Sequence, residues 1–167
     1  AQAEIIEEPQ SAVLAEHLDL TGQRGRAVSY CDRGAELYER LGHRLYLAAM
    51  LNNGAIYRRL ASEFGPALAV LERALAINEG VEDRHGRAVV LLNIASLHLA
   101  LGDAEGARRR AERVLEQARS IGVTWLQAHA YRVLGRSAAQ SRSEGAARYL
   151  RRSEGLFRML HSHRNLT

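Results

Sequence analysis

Apolar and small residues recur along this chain at helical spacing. The clearest stretch is Leu91, Ile94, Ala95 and His98, which step by three, one and three along one helix face. Leu101-Gly102-Asp103 then breaks the pattern, because glycine adopts the left-handed backbone that ends a helix. A second face follows in Ala107, Ala111, Val114, Ala118 and Ile121, and Gly122 closes it. The stretch predicts one helical hairpin.

The hairpin recurs. Ala27, Ala67, Ala107 and Ala147 lie 40 residues apart, each near the start of a second helix. Ala15, Gly54, Ala95 and Gly135 mark the first helices at nearly the same interval. Turns are expected at Thr21 to Gln23, Ser62 to Pro66 and Ser141 to Ser143, and Pro66 suits the first turn of the helix it opens. The small residues predict close helix crossings, with Gly54 or Ala95 facing Ala67 or Ala107. A lone hairpin cannot bury both of its apolar faces, so neighbours must stack. The prediction is an all-α fold, an α-solenoid of four antiparallel helix pairs at about residues 8–42, 45–82, 85–122 and 125–162. These pairs are read as a single domain over residues 1–167.

The series Asn93-Ile94-Ala95, His98, Leu101-Gly102-Asp103 and Ala107 resembles the tetratricopeptide pattern of Leu-Gly, an aromatic, Leu-Gly-Asp and Ala. Asn53-Gly54, Tyr57, Leu60 and Ala67 repeat it with one extra residue in the turn. Leu134-Gly135 also matches, although Ala138 stands in the aromatic position and no proline follows the second helices. The junctions at Gly42, Glu82 and Gly122, with the 40-residue length, are similar to the longer subtype of this repeat family. That subtype is found in bacterial transcriptional and signalling regulators and in scaffold adaptors. The resemblance implies a TPR-like superhelix that binds protein or peptide and carries no enzyme activity.

In stacked hairpins the first helix of each pair lines the concave side. The expected peptide-binding residues there are Asn52, Arg58, Arg59, Leu92, Asn93, Ser96, His129, Arg132 and Arg136. Asn52 and Asn93 are read as equivalent rungs of the asparagine ladder with which relatives hold a peptide backbone, while Val13 and Val133 occupy the other rungs. Arg132 and Arg136 lie four apart on one helix face, and guanidinium groups suit an acidic segment or a free C-terminus. The chaperone-binding clamp of the family is matched only at Asn52, which argues against a chaperone tail.

Composition narrows the classes further. The chain is 47% hydrophobic and 25% charged, a globular balance. All 23 basic residues are Arg, the usage of a GC-rich genome, which points to a bacterial source. Residues 1–106 hold 10 Arg and 15 acids, and residues 107–167 hold 13 Arg and 4 acids. The basic back half, including Arg108, Arg109, Arg110, Arg148, Arg151 and Arg152, offers an alternative reading as a nucleic-acid surface. The lack of interleaved aromatics for base stacking disfavours it. Self-association is a further alternative, through Leu156, Phe157, Met159 and Leu160 on the last helix.

Single Cys31 cannot close an internal disulfide and falls on a packed face, so it reads as a core thiol. His98 reads as core packing in the aromatic position. His161-Ser162-His163 lacks neighbouring metal ligands, and no phosphate-binding glycine loop followed by Lys exists. No acid–base pair stands out, so neither enzyme activity, cofactor nor metal is expected. No membrane span or signal segment is visible, and a cytoplasmic location is expected. The sequence ends read as boundaries of a piece of a longer protein.

Overall fold

The computed structural model describes residues 24–164, which form seven α-helices and no strand. They are α1 (Arg24–Arg40), α2 (Arg44–Leu60), α3 (Phe64–Gly80), α4 (Arg84–Ala100), α5 (Ala104–Ser120), α6 (Thr124–Gln140) and α7 (Ala146–Arg164). The first helix of the expected first pair, together with Ala15 and Val13, lies outside the described residues.

The helices obey a simpler rule than the 40-residue period. Each of α1 to α6 is 17 residues long and each of the five turns between them is three, so a helix begins every 20 residues from Arg24 to Thr124. Five of the six turns share one pair of backbone bonds. At the α1–α2 turn the amide of Gly42 donates to the Glu39 carbonyl (3.1 Å) and the amide of His43 donates to the Tyr38 carbonyl (2.9 Å). This paired bonding satisfies the orphan carbonyls of the helix end, and it needs a left-handed residue in the middle of the turn. That residue is Gly42, Gly102 or Gly122 in three turns, and Ser62, Glu82 or Arg142 in the others, with φ of 63°, 56° and 52°.

Helix starts are capped by a side chain where the N-cap residue is an aspartate, while Glu63 before α3 makes no such bond. The Asp83 carboxylate accepts from the Gly86 amide (2.9 Å), and Asp103 accepts from Gly106 (2.8 Å). Asp103 also takes a bond from His98 Nδ1 (2.7 Å), so His98 ties the end of α4 to the start of α5 instead of simply filling space. The cap and this bond hold the Asp103 carboxyl below its usual range. Asp103→Ala should lower the midpoint of urea unfolding, while Asp103→Asn keeps most of the wild-type stability. Pro66 is the third residue of α3, and the first intrahelical bond of that helix runs from the Ala67 amide to the Glu63 carbonyl. The missing proline N–H therefore leaves no bond unmade.

Contacts divide the chain into two compact units, one ending at Glu82 and one beginning at Asp83. In the first, α1 packs on α2 and α2 on α3, around Ala27, Cys31 and Tyr57, with Val28 and Leu60 against them. Burial pushes the Cys31 thiol up to about 12, with the Asp32 carboxylate adding to the effect, so the thiolate form is suppressed. In the second unit each helix packs on the next, and α4 also touches α6. The side of α5 that reads Ala107, Ala111, Val114 and Ala118 is fully buried at 0% exposure, while its outer face carries Arg and Glu. Small side chains let neighbouring backbones approach closely.

Two features of the sequence reading change. The constant helix and turn lengths leave no extra residue between α2 and α3, so Asn53, not Asn52, is the 40-residue partner of Asn93. Ala27, Ala67 and Ala107 are completely buried, but Ala147 is exposed. The reason lies in the turn before α7, which is lengthened to five residues and ends at Gly145 with φ of 96°. The packed side of α7 then runs through Ala146, Leu150, Ser153 and Phe157, one residue earlier than on α5. Leu150 lies over Gly135, where an added Cβ would come within 2.7 Å of its side chain.

Candidate peptide-binding face

The 20-residue rule gives α4 and α6 a common register. His85, Leu92 and Ser96 on α4 correspond to Trp125, Arg132 and Arg136 on α6, and His129 stands one turn after Trp125 on the same face. The structure builds an aromatic row there. His85 meets Trp125 edge-on at 5.9 Å between ring centroids, Trp125 meets His129 at 5.7 Å, and His129 meets Phe157 of α7 at 4.9 Å. The Arg132 guanidinium lies over the Phe157 ring at 5.9 Å. Trp125 remains 37% exposed, and it is the only tryptophan in the chain.

Arg132 Nη2 donates to His129 Nδ1 at 2.8 Å. An acceptor nitrogen must be unprotonated, so this contact needs neutral imidazole with its proton on Nε2. Desolvation, and then the Arg132 charge, push the His129 pKa below its ordinary value in agreement with that assignment. Arg132 is itself lowered, first by desolvation and then by the nearby Arg136 guanidinium. Among the described residues neither Arg132 nor Arg136 has a carboxylate partner. Two adjacent cations without a counter-ion, set beside an aromatic row, form a site complementary to an acidic group next to an apolar or aromatic one.

The depressed His129 has a pH signature. The unfolded chain takes up a proton near the ordinary pKa of 6.5, whereas the folded face resists it until lower pH. Stability is therefore lost as pH falls below about 6.5. Wild type should lose more melting temperature than His129→Gln between pH 7.5 and 5.5, and equal losses would rule out a neutral, buried role for this imidazole.

The other expected site residues divide. Leu92 is buried, and Ser96 Oγ donates to the Leu92 carbonyl (2.9 Å), so both mainly shape the α4 side of the face. Asn93 is half-buried and already has an interaction inside the protein. Asn52, Arg58 and Arg59 belong to the first unit, on α2. Asn52 is likewise half-buried with a partner inside the protein, and Arg59 is half-buried. Arg58 is committed to structure. Its Nη2 donates to both Asp32 carboxylate oxygens (2.8 and 2.7 Å), its side chain is 13% exposed, and Gly54 leaves the space it fills.

Sequence reasoning passed over His85 and Trp125 and gave Phe157 a different role. The 40-residue step from His85 to Trp125 was the available signal. The basic half is also less basic than its count. Arg108 bonds Glu105 and Glu112, and Arg109 bonds Glu105, on the exposed side of α5. On α7, Met159 is 56% exposed, while Leu156, Phe157 and Leu160 are half-buried. Among the described residues no cluster of His, Cys, Asp or Glu could hold a metal ion, and no helix is long and apolar enough to cross a membrane.

Solved structures resemble this arrangement closely. BtubC (BKLC) of P. vanneervenii aligns at a TM-score of 0.77 with 17% identity, covering 92% of this chain and 64% of its own. Two structures from Podosopora anserina, named for nearly identical TPR-like repeats of a kinesin light chain, align at 0.71 and 0.67 with 14% identity each. They cover 96% and 93% of this chain, and 81% and 78% of their own. The fold is that of TPR-like helical repeats. At these identities the likeness establishes an all-α repeat solenoid and leaves function to the site. This chain spans about two thirds of BtubC. No protein-family model and no curated protein matches the sequence.

Proposed function

We propose that this TPR-like chain is a non-catalytic protein-interaction module, and that the α4–α6 face of its second unit takes an acidic segment of a partner protein. The observation that carries this reading is the pair Arg132 and Arg136, exposed and without a carboxylate among the described residues, beside the Trp125–His129–Phe157 row. A ligand carboxylate would relieve the repulsion between the two guanidinium groups and accept their donors. An apolar or aromatic ligand side chain would cover Trp125. Leu92, Asn93 and Ser96 of α4 border the same face, and Asn52 and Arg59 offer a smaller polar face on α2 of the first unit. The regulatory or scaffold setting in a larger bacterial protein, inside the cytoplasm, fits the arginine-only composition and the repeat type.

Trp125 supplies the test, because any ligand on this face changes its surroundings. Titration with a Glu-rich peptide containing one phenylalanine should shift Trp125 emission saturably. Arg132→Glu with Arg136→Glu should weaken binding by about a hundredfold, while the circular dichroism stays that of wild type. An Arg-rich peptide of equal length should not bind. Unchanged affinity in the double variant, or no Trp125 response to the acidic peptide, would remove the proposal.

A further inference from the structure

The second unit carries another basic cluster, and it lies on different faces of α6 and α7. Tyr131, Arg148, Tyr149, Arg151 and Arg152 line an open recess of about 520 Å³. The Tyr131 and Tyr149 rings stack at 6.3 Å and 28°, and the Arg148 guanidinium lies 5.4 Å over Tyr149. Arg119 Nη2 donates to the Tyr131 hydroxyl at 2.7 Å. That hydroxyl is thus an acceptor for Arg119 and keeps its own hydrogen to donate, with no acceptor for it among the described residues.

The recess exists where the repeat rule breaks. The lengthened turn brings Gly145 against Tyr149 and Arg148, at 3.6 and 3.8 Å from where its Cβ would be. The one-residue shift of α7 also changes the charge pattern. On α5, Arg108 is bracketed by Glu105 and Glu112. In the shifted register the place of Glu112 on α7 is taken by Arg151. Among the described residues Arg148, Arg151 and Arg152 have no ion pair, and the neighbouring Glu154 is bound to Arg158 instead. Like charges at spacings of three and four on one helix repel each other, so the cluster costs stability unless an anion joins it.

We infer that this recess is an anion site for a phosphate group, held by Arg148, Arg151 and Arg152 with the Tyr131 hydroxyl as a further donor. A phosphate dianion brings three acceptor oxygens and up to twice the charge of a carboxylate, which suits three guanidinium groups around one recess. The phosphate arrives either on a small molecule or as a phosphoserine of a partner, and the chemistry of the recess is the same for both.

Isothermal titration of the full chain with inorganic pyrophosphate, a phosphoserine peptide and its unphosphorylated counterpart tests the site. Saturable binding of at least one phosphate probe is expected, with no binding of the unphosphorylated peptide. Arg148→Gln with Arg152→Gln should weaken it by about tenfold or more, and Arg108→Gln with Arg109→Gln, which removes the same charge from α5, should change it less than about twofold. The tighter phosphate probe identifies the source: pyrophosphate a free ligand, the phosphopeptide a partner protein. Equal weakening in the two double variants would reduce the effect to diffuse charge and overturn the site, as would no saturable binding of either phosphate probe. The Arg132 and Arg136 variant leaves this recess intact, so the two proposals can fail separately.

Discussion

Ala107→Leu is expected to destabilise the second unit by about 1–3 kcal/mol, the range for forcing extra methylenes into a filled core. Ala107 opens the packed side of α5 and has no exposed surface, and neither do Ala111, Val114 and Ala118 further along the same side. A leucine there must displace the neighbouring helix or leave its preferred rotamer. Ala147→Leu is the contrast. Ala147 holds the corresponding place in the 40-residue series but is exposed, so the same substitution should change stability by less than about 0.5 kcal/mol. Urea unfolding followed by circular dichroism separates the two. Equal costs at both positions would contradict the shifted register of α7, and no cost at either would contradict close packing through small residues.

That contrast also marks how far the sequence could be read. Helical spacing of Ala and Leu, with Gly42, Gly102 and Gly122 as stops, located the turns at those glycines, since local periodicity and glycine chemistry are properties of the chain itself. The turn expected at Ser62 to Pro66 is already closed at Glu63, and the one at Thr21 to Gln23 lies outside the described residues. Register was harder. Gly54 imitated Ala95 as a small residue and pulled the alignment of α2 out by one, because smallness at one position does not say which helix it faces. Gly54 in fact leaves room for Arg58 and approaches Cys31. The same slip made Asn52 the counterpart of Asn93. The packed side of α7 shows in the sequence as the apolar spacing Ala146, Leu150 and Phe157, whereas the 40-residue alanine series points to Ala147, because the longer turn and the left-handed Gly145 do not disturb that series.

The candidate face was legible in part. His129, Arg132 and Arg136 were readable as neighbours on one helix, and two of them bond directly. Arg58 looked equally available in the sequence, yet its partner Asp32 is 26 residues away on α1, a contact that only tertiary structure reveals. His85 and Phe157 join the face from two other helices for the same reason. Arg58 gave no sign that its counter-ion comes from another helix, whereas the Arg108 partners Glu105 and Glu112 lie on its own helix at spacings that can be read from the sequence.

Replacing Ser62, Glu82 and Arg142 together by glycine is expected to stabilise the chain by about 1.5–3 kcal/mol. Each of the three has a side chain and a φ between 52° and 63°, where Cβ crowds the backbone at a cost of roughly 1–2 kcal/mol. Glycine removes that cost, but it gives the unfolded chain more freedom, which returns about 0.4–1 kcal/mol. The net gain is about 0.5–1 kcal/mol per turn. The bonds of these turns are backbone bonds, the Glu63 amide to the Arg58 carbonyl (2.8 Å), the Glu82 amide to the Glu79 carbonyl (3.2 Å) and the Ser143 amide to the Ala138 carbonyl (2.8 Å), so losing the side chains leaves them in place. The three turns are far apart in sequence and share no hydrogen-bond partner among the described residues, so their effects should add. Gly42, Gly102 and Gly122 already occupy the equivalent place in the other turns, so Gly102→Ala should show the opposite sign and lower the melting temperature. Thermal unfolding of the triple variant, the three single variants and Gly102→Ala measures the balance. A triple variant that melts with or below wild type would mean that the left-handed turns carry no strain for glycine to release.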